Sequence, residues 1–484
     1  MERHNLGVAD KHSHPRHFRV KSFLLYPHNV EFSPPKSTEE GGAQEGPLPD
    51  AANPLNQEGN KSANIFGIID SFSFSEGLHQ PALFGEAIIT DTVGMLETYR
   101  ISGGEKVEIV VQQDLPDELK EIKLEFFIAG INNFSKISIG AQSYKLQLAT
   151  KEHFKNSLLR INKSFQGIPN DLIKEILKQI GTEKLNIESG GSTSMKGIYP
   201  KLRPFDAISW ILRNSHDEQT PMFFYQDHLD GHQLKSYKSI VDQMNSVGAA
   251  VKEKMTGKES GVYSEYSNNP YGLEETNEDP NYYEKNRKKI LDFQITDFSN
   301  KLRLSRKGAY ASRLRYVDIA KKYYSPPIGF NYEPEFLLNK NQPFSKAEDS
   351  VGINNFENDE FRSAREYFVN FNSSLFGNEN SYHTATKDNI QNTVSNYENL
   401  FDMRATITLN GDPGLVPGSI INLKMFKDQP EESVGEGDNI ENAHLGGNYL
   451  VETITHSFAG DGYYMGVTIL KNSYKIDFNE KVKL

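Results

Sequence analysis

Two blocks of alternating apolar and polar positions, separated by a stretch of helical period, organise this chain. In the first block, Asn64 to Val111, the segments Ile65–Phe74 and Phe84–Thr90 are rich in β-branched and aromatic residues, and Gly77 and Pro81 interrupt them. Ile101 then leads through Ser102-Gly103-Gly104 into the alternating Val107, Ile109 and Val111. That pattern predicts antiparallel strands joined by tight turns. An earlier strand is predicted over Phe18–Tyr26, and Lys123–Ile131, Lys136–Ile139 and Tyr144–Thr150 continue the block. Ser33 to Ala63 has almost no large apolar residue, so burial cannot offset the entropy of ordering it. With strands on both sides, it is expected to be an insertion within one domain.

The period then changes. Pro169 to Gly181 opens with Pro and Asn/Asp at the capping positions, closes on Gly, and places Leu172, Ile173, Ile176, Leu177 and Ile180 on one stripe, which predicts a helix. A second helix is expected over Pro204–Arg213, with Trp210 as a core residue. Beyond it, Met222–Asp227 meets Gln233–Tyr237 across Asp230-Gly231, a hairpin signal.

From Val241 to Lys288 the sequence is polar, and its acidic Glu274–Pro280 run lacks the ligand alternation of a calcium loop. Strands are expected at Ile290–Phe298 and from Gly308 to Ile319, and Asn331–Asn399 is again polar and Asn-rich, with an aromatic patch from Glu360 to Phe371. The second clear block closes the chain. Ala405–Gly414 reads as a strand into a turn, Val416–Leu423 as a turn into a strand, and Gly447–Phe458 faces Tyr463–Leu470 across Gly460-Asp461-Gly462. Pro413 and Pro417 pre-set the turns.

The order of these pieces resembles the tail-hub family: the baseplate hub of contractile-tailed phages and the N-terminal part of type VI secretion spike proteins. In the first block the resemblance rests on Thr90-Asp91, Gly94-Met95-Leu96-Glu97, Ile101 and Gly103-Gly104-Glu105 followed by a strand. It continues through the helix–helix–aromatic hairpin and through the Gly308-Ala-Tyr310 strand that runs to Asp318 and Lys322-Tyr323. It is strongest at the end, in Asn410-Gly-Asp-Pro413, Pro417-Gly418 with Ile421, Tyr449-Leu-Val451 with Ile454, His456 and Phe458, and Tyr463 with Met465 and Val467-Thr468. About half of the chain is covered.

The resemblance implies an α+β, mainly β protein with two small antiparallel β-barrels of tail-tube type joined by a helix-containing segment. The expected parts are a first barrel over 1–150 with an insertion at 33–63, a helix–helix–hairpin domain over 151–240, a polar insertion at 241–289, the start of the second barrel at 290–330, a polar insertion or spike-side subdomain at 331–400, and the rest of the second barrel at 401–484. It further implies a homotrimer joining a sixfold tail tube to a threefold central spike, because three chains would place six barrels around the axis. Its partners would be the tail tube and central spike proteins, with baseplate wedge or tape-measure proteins at the periphery, and DNA only passing through the lumen. Asp91, Glu97, Glu105, Glu108, Glu452 and His456 become candidate lumen or interface residues. The competing class is a β-rich carbohydrate-binding tail or surface adhesin, suggested by the many Tyr and Asn residues; an enzyme ranks third.

Composition narrows these classes. A formal net charge of −12 disfavours a chain that grips nucleic acid by neutralising phosphates. With no cysteine there is neither a disulfide framework nor a thiolate metal site. No run approaches about 18 consecutive apolar residues, and Met1 to Phe18 lacks the apolar core of a signal peptide. These features carry no sign of stable membrane binding, and the resemblance implies assembly in the host cytoplasm into a virion tail baseplate. His4, His12, His14 and His17 sit among Lys and Arg at irregular spacing, and no metal or cofactor is expected there. His456 and Glu452, four residues apart on one strand face, have the residue types of a general-base pair. No nucleophile elbow, HExxH, phosphate loop or dinucleotide fingerprint accompanies it. The purified protein should accordingly leave peptidoglycan intact in a zymogram; clearing that a single Asp or Glu substitution abolishes would overturn the non-enzymatic expectation.

Overall fold

The computed structural model of the chain describes residues 16–28, 62–114, 119–182, 184–188, 194–213, 215, 220–242, 265–268, 286–298, 300–319, 322–331, 365–371, 390–426, 442, 444–460 and 462–472. The N-terminal block contributes β1 (Arg19–Tyr26), β2 (Ala63–Asn64), β3 (Ile69–Gly77), β4 (Phe84–Asp91), β5 (Lys106–Asp114), β6 (Leu119–Ser138) and β7 (Ala141–Ala149). They pair in the order β3-β4-β7-β6-β5-β1-β2, all antiparallel. A 3-10 turn at Phe66–Ile68 delays the first expected strand. Lys123–Ile131 and Lys136–Ser138 belong to one long strand, β6, whose register against β7 shifts at three points, and Ile139 falls in the turn after it. Alternate residues point inward, so Phe23, Phe72, Val107, Leu124 and Leu146 join one core. Phe23 and Phe72 lie on strands far apart in the ladder, yet their rings are 5.7 Å apart; the run of strands curls around that core. The short helix α1 (Met95–Tyr99) buries Met95 and Tyr99, one turn apart, against it.

The middle of the chain forms a smaller α/β unit from α2 (Lys151–Leu158), β8 (Ser164–Gly167), α3 (Pro169–Ile180), β9 (Leu185–Ile187), β10 (Met195–Ile198), α4 (Pro204–Arg213), β11 (Met222–Asp227) and β12 (Gly231–Ser236). The stripe expected from Leu172 to Ile180 is buried in full, and Gly181, at φ 77°, supplies the left-handed C-terminal stop. No side chain caps its start: Ile168 stands at the N-cap, and Asn170 and Asp171 lie inside the first turn. Ile173 and Ile208 pack with Phe224 and Leu234 of the β11–β12 hairpin in a second core. Trp210 borders that core, edge-on to Phe165 at 5.6 Å.

The rest of the chain supplies β13 (Glu265–Asn268), β14 (Ile290–Phe298), the helix Lys301–Lys307, β15 (Ala311–Asp318), β16 (Tyr323–Tyr324), β17 (Ile328–Asn331), β18 (Glu366–Phe371), a helix over 390–399, β19 (Met403–Asn410), β20 (Ile420–Met425), β21 (Gly447–Ala459) and β22 (Gly462–Lys471). Strand β14 pairs with β19, whereas β15 lies in a separate sheet with β16, β17 and β18. The Glu274–Pro280 run and most of the polar insertions lie outside the described residues.

The two-barrel expectation needs correction. Among the described residues no sheet closes into a barrel, and both blocks belong to one 13-stranded sheet in which β21 pairs antiparallel with β3. The cause is visible in the side chains. Phe72 and Phe74 on β3 and Ile454 and Phe458 on β21 face the same way, and Phe458 stacks on Phe72 at 5.9 Å. Pairing these edges satisfies their backbone groups and merges two apolar faces into one core. None of the described helices is long and apolar enough to cross a membrane.

The turn after β19 shows how tightly this junction is packed. A Cβ added at Gly411 would lie 1.9 Å from Cδ1 of Tyr463, while the Gly411 carbonyl accepts from Gln113 Nε2 at 2.9 Å. Gly411→Ala should therefore cost about 3 kcal/mol through overpacking, read as a lower denaturation midpoint with the m-value unchanged.

Candidate functional site

Sequence position assigns Glu76 to the apolar phase of β3, two and four residues after Phe74 and Phe72, and His456 to the apolar phase of β21, between Ile454 and Phe458. A polar side chain on a buried phase needs a partner. The two strands are paired, with Phe74 opposite His456, and the His456 ring stacks on Phe74 at 4.2 Å and 9°. His456 Nε2 reaches Glu76 Oε1 at 3.2 Å. A third group comes from the middle unit. Asp227, at the end of β11, accepts from the backbone N–H of Asp230 at 2.7 Å and of Gly231 at 3.2 Å, and the turn so formed aims His228 back at Glu76.

His228 meets the carboxylate twice. Its backbone N–H donates to Oε2 at 3.0 Å, and its Nδ1 lies 3.1 Å from the same oxygen. On the far side, His228 Nε2 is 3.0 Å from the carbonyl oxygen of Pro413. A backbone carbonyl and an ionised carboxylate both only accept, so both ring nitrogens of His228 must carry protons. It is an imidazolium. His456 differs: Nε2–H donates to Glu76, so Nδ1 accepts the Tyr463 hydroxyl at 2.8 Å and the ring is neutral.

The protonation directions agree with this geometry. Burial pushes the Glu76 carboxyl up, but His228 and His456 outweigh it and hold the group well below its ordinary range. Burial lowers His228, yet the adjacent carboxylate and the Pro413 carbonyl raise it overall. For His456 burial dominates and the pKa falls. All three side chains are fully shielded from solvent. The arrangement acts as a neutral, buried clamp joining β3, the β11–β12 turn, the Pro413 loop and β21. Glu76, His228 and His456 are also the one group among the described residues whose side-chain atoms could converge on a metal ion.

Glu452, expected to share a face with His456, does not meet it. The β21–β22 register shifts between Val451 and Thr453, so Glu452 sits on a bulge, where its carboxylate pairs with Arg404 Nε at 2.9 Å. Burial raises its pKa, and Arg404 opposes that rise. The carboxylate that serves His456 is Glu76, which the sequence pattern leaves out because the predicted strand stops at Phe74, short of Gly77. The available signal was its phase, shared with Phe72 and Phe74.

The remaining candidates are dispersed. Asp91 is buried and accepts from the backbone N–H of Val93 at 3.0 Å and of Met95 at 2.7 Å, and from Gln142 and Tyr144. Glu105 is buried and accepts from the N–H groups of Ser102 and Gly103, both at 2.8 Å. Both carboxylates hold turns. Glu97 is exposed on α1. Glu108 lies on the outer face of β5 and accepts from Tyr26 at 2.6 Å, beside Lys106; Lys106 and Tyr26 lower its pKa.

Two measurements probe these assignments. Glu76→Gln leaves a buried imidazolium without its counter-charge and should cost about 3–5 kcal/mol, whereas Glu97→Gln should stay within ~0.5 kcal/mol. Equal, small losses for both variants in chemical denaturation would remove the clamp from this account. At Asp91, burial raises the pKa but the hydrogen bonds from Gln142, Val93, Met95 and Tyr144 outweigh it, so the folded value lies below the ordinary 3.8. A depressed carboxyl stabilises fully above its unfolded pKa and loses that contribution as pH falls. Wild type should therefore lose more stability than Asp91→Asn between about pH 5 and the low folded pKa, and parallel acid-denaturation curves would contradict this.

No protein-family model matches the chain, and neither does any curated protein. Solved structures do. The chain is similar to a tail protein from Neisseria meningitidis MC58, with 11% identity over 86% of this chain and 94% of that one and a TM-score of 0.46. It is similar to the 43 kDa tail protein of prophage MuSo2 from Shewanella oneidensis, with 8% identity over 84% and 94% of the two chains and a TM-score of 0.47. A third match is an E. coli component of the type VI secretion system, at 10% identity over 86% of this chain and 76% of that one, TM-score 0.38. The structures this chain is similar to are thus phage tail proteins and type VI secretion components, the two groups its motifs resemble.

Proposed function

We propose that this chain is a structural component of a phage tail, and specifically the trimeric baseplate hub that adapts a sixfold tail tube to a threefold central spike. The observation that carries the proposal is the β3–β21 ladder: one chain holds two antiparallel blocks side by side in a single sheet, each bearing the hub-type motifs. Three such chains would present six blocks in a ring while keeping threefold symmetry for the spike. In the ring, each block would complete its curl as a tube-type barrel against neighbouring chains. The hairpin between β6 and β7 carries exposed Phe134, Ile137 and Ile139, apolar surface suited to a neighbouring copy or to the tail tube.

Charge supports a passage role for the outer face of β1, β5 and β6. Its lysines, Lys21, Lys106 and Lys123, are matched by Glu108, Glu121 and Glu125 in ion pairs. A neutralised face offers no cluster of cations to retain DNA phosphates. Wedge or tape-measure proteins would meet the periphery, in a virion tail baseplate assembled in the host cytoplasm. A catalytic role is not proposed.

A second reading, a carbohydrate-binding tail or surface adhesin, draws on the exposed Tyr323, Tyr324 and Phe368 on the separate four-stranded sheet. Aromatic platforms of that kind stack sugars. A glycan array separates the two: saturable binding of one sugar class, without incorporation into tails, favours the adhesin. For the hub, the expected stoichiometry in purified tails is three copies, with Ile137→Glu and Ile139→Glu together blocking incorporation. Six copies per tail would refute the adapter.

A further inference from the structure

We propose that Glu76, His228 and His456 form a binding site for one divalent transition-metal ion, Zn2+ for preference, which staples the first block, the middle unit and the last block together. The donor set is a carboxylate and two imidazoles, the combination that holds zinc and related ions in proteins. The placement fits. The Glu76 oxygens lie 3.1 Å from His228 Nδ1 and 3.2 Å from His456 Nε2. Two ligands each ~2.0–2.1 Å from a tetrahedral ion are separated by about 3.3 Å. The inward-facing ligand atoms of all three residues lie within 4.8 Å of one another.

The outward-facing nitrogens carry the second piece of evidence. Metal-bound histidines usually donate their other N–H to a fixed acceptor, which sets the ring orientation. His228 Nε2 points at the Pro413 carbonyl at 3.0 Å, and His456 Nδ1 at the Tyr463 oxygen at 2.8 Å. Both outer partners are themselves held. Tyr463 packs against Gly411 and stacks on Phe458 at 4.4 Å, and Pro413 follows Asp412, whose carboxylate takes Arg287 at 3.0 Å and the N–H of Gly414 at 3.0 Å.

The exchange balances. Without metal the clamp keeps a proton on His228 Nδ1, an imidazolium in a fully buried place. Zn2+ replaces that proton, which leaves to solvent, while His456 shifts its own proton from Nε2 to Nδ1 and donates it to Tyr463. Pro413 keeps its hydrogen bond throughout. Because the site closes only when segments from β3, the β11–β12 turn and β21 have come together, loading accompanies folding.

The test is metal content after refolding. Full-length protein is unfolded in urea with EDTA, refolded with or without ZnCl2, desalted and measured by plasma mass spectrometry. One Zn2+ per chain is expected for wild type, with a higher unfolding midpoint than the metal-free preparation. To separate the site from the N-terminal histidines, the triple variant His4→Ala, His12→Ala, His14→Ala is loaded in parallel and should retain the ion, while Glu76→Gln should lose it. Zinc absent from refolded wild type, or zinc that follows the N-terminal histidines or survives Glu76→Gln, overturns the proposal. Should Glu76→Gln fail to fold, X-ray absorption of Co2+-loaded triple variant decides. A shell with two imidazoles and a carboxylate supports the site; a shell of oxygen alone refutes it.

Discussion

A carboxylate held between two imidazoles, out of reach of water, is the constraint around which this fold closes. Glu76, His228 and His456 come from three parts of the chain, Glu76 and His456 being 380 positions apart. Neither the Glu76 carboxylate nor the His228 imidazolium could be buried alone, since an isolated ion in a protein interior costs far more than one contact returns. Each of the three pieces is therefore incomplete without the other two. Tyr463 and the Pro413 carbonyl extend the network into the last block, so the polar centre and the apolar core around it share the same strands. A clamp of this kind adds specificity of register as much as stability, because shifting β21 by one residue would turn His456 away from Glu76 and toward the other face.

The ladder between β3 and β21 is the apolar counterpart of that clamp. Phe72, Phe74 and Phe458 stack across it, and the core of the first block runs without interruption into the core of the last. Joining the blocks edge to edge, rather than through a linker, leaves them no freedom to rotate against each other. For a proposed adapter that would transmit force between tube and spike, a rigid pair of units is the physically useful form. The middle unit, with its own core under α3 and α4, attaches through the same hairpin that delivers His228.

Motif carboxylates turn out to do local work. Asp91 and Glu105 bind backbone N–H groups and set the turns that precede α1 and β5. The motif order that resembles hub proteins is in this sense a record of turn chemistry: short polar side chains and glycines at the places where strands reverse. Residues of that type identify an architecture, and they leave the chemistry of any site to be found elsewhere.

Local rules were enough for the longest, most regular elements, and passed over shorter ones such as α2, β8 and the helix over 390–399. Period-two alternation located β3, β4, β5, β21 and β22, and period-3.6 spacing with Gly181 at its end located α3, because both patterns follow from how side chains project from a regular backbone. Those rules act over a few residues and carry no information about which edges meet. Only the tertiary structure decided that β3 pairs with β21, that β15 leaves for a separate sheet, and that a bulge sends Glu452 to Arg404. The partner of His456 was hidden for the same reason. Its phase on the strand marked it as buried and in need of an acceptor, but the acceptor stands on a strand laid down 380 residues earlier, and nothing shorter in range than the folded sheet brings the two together.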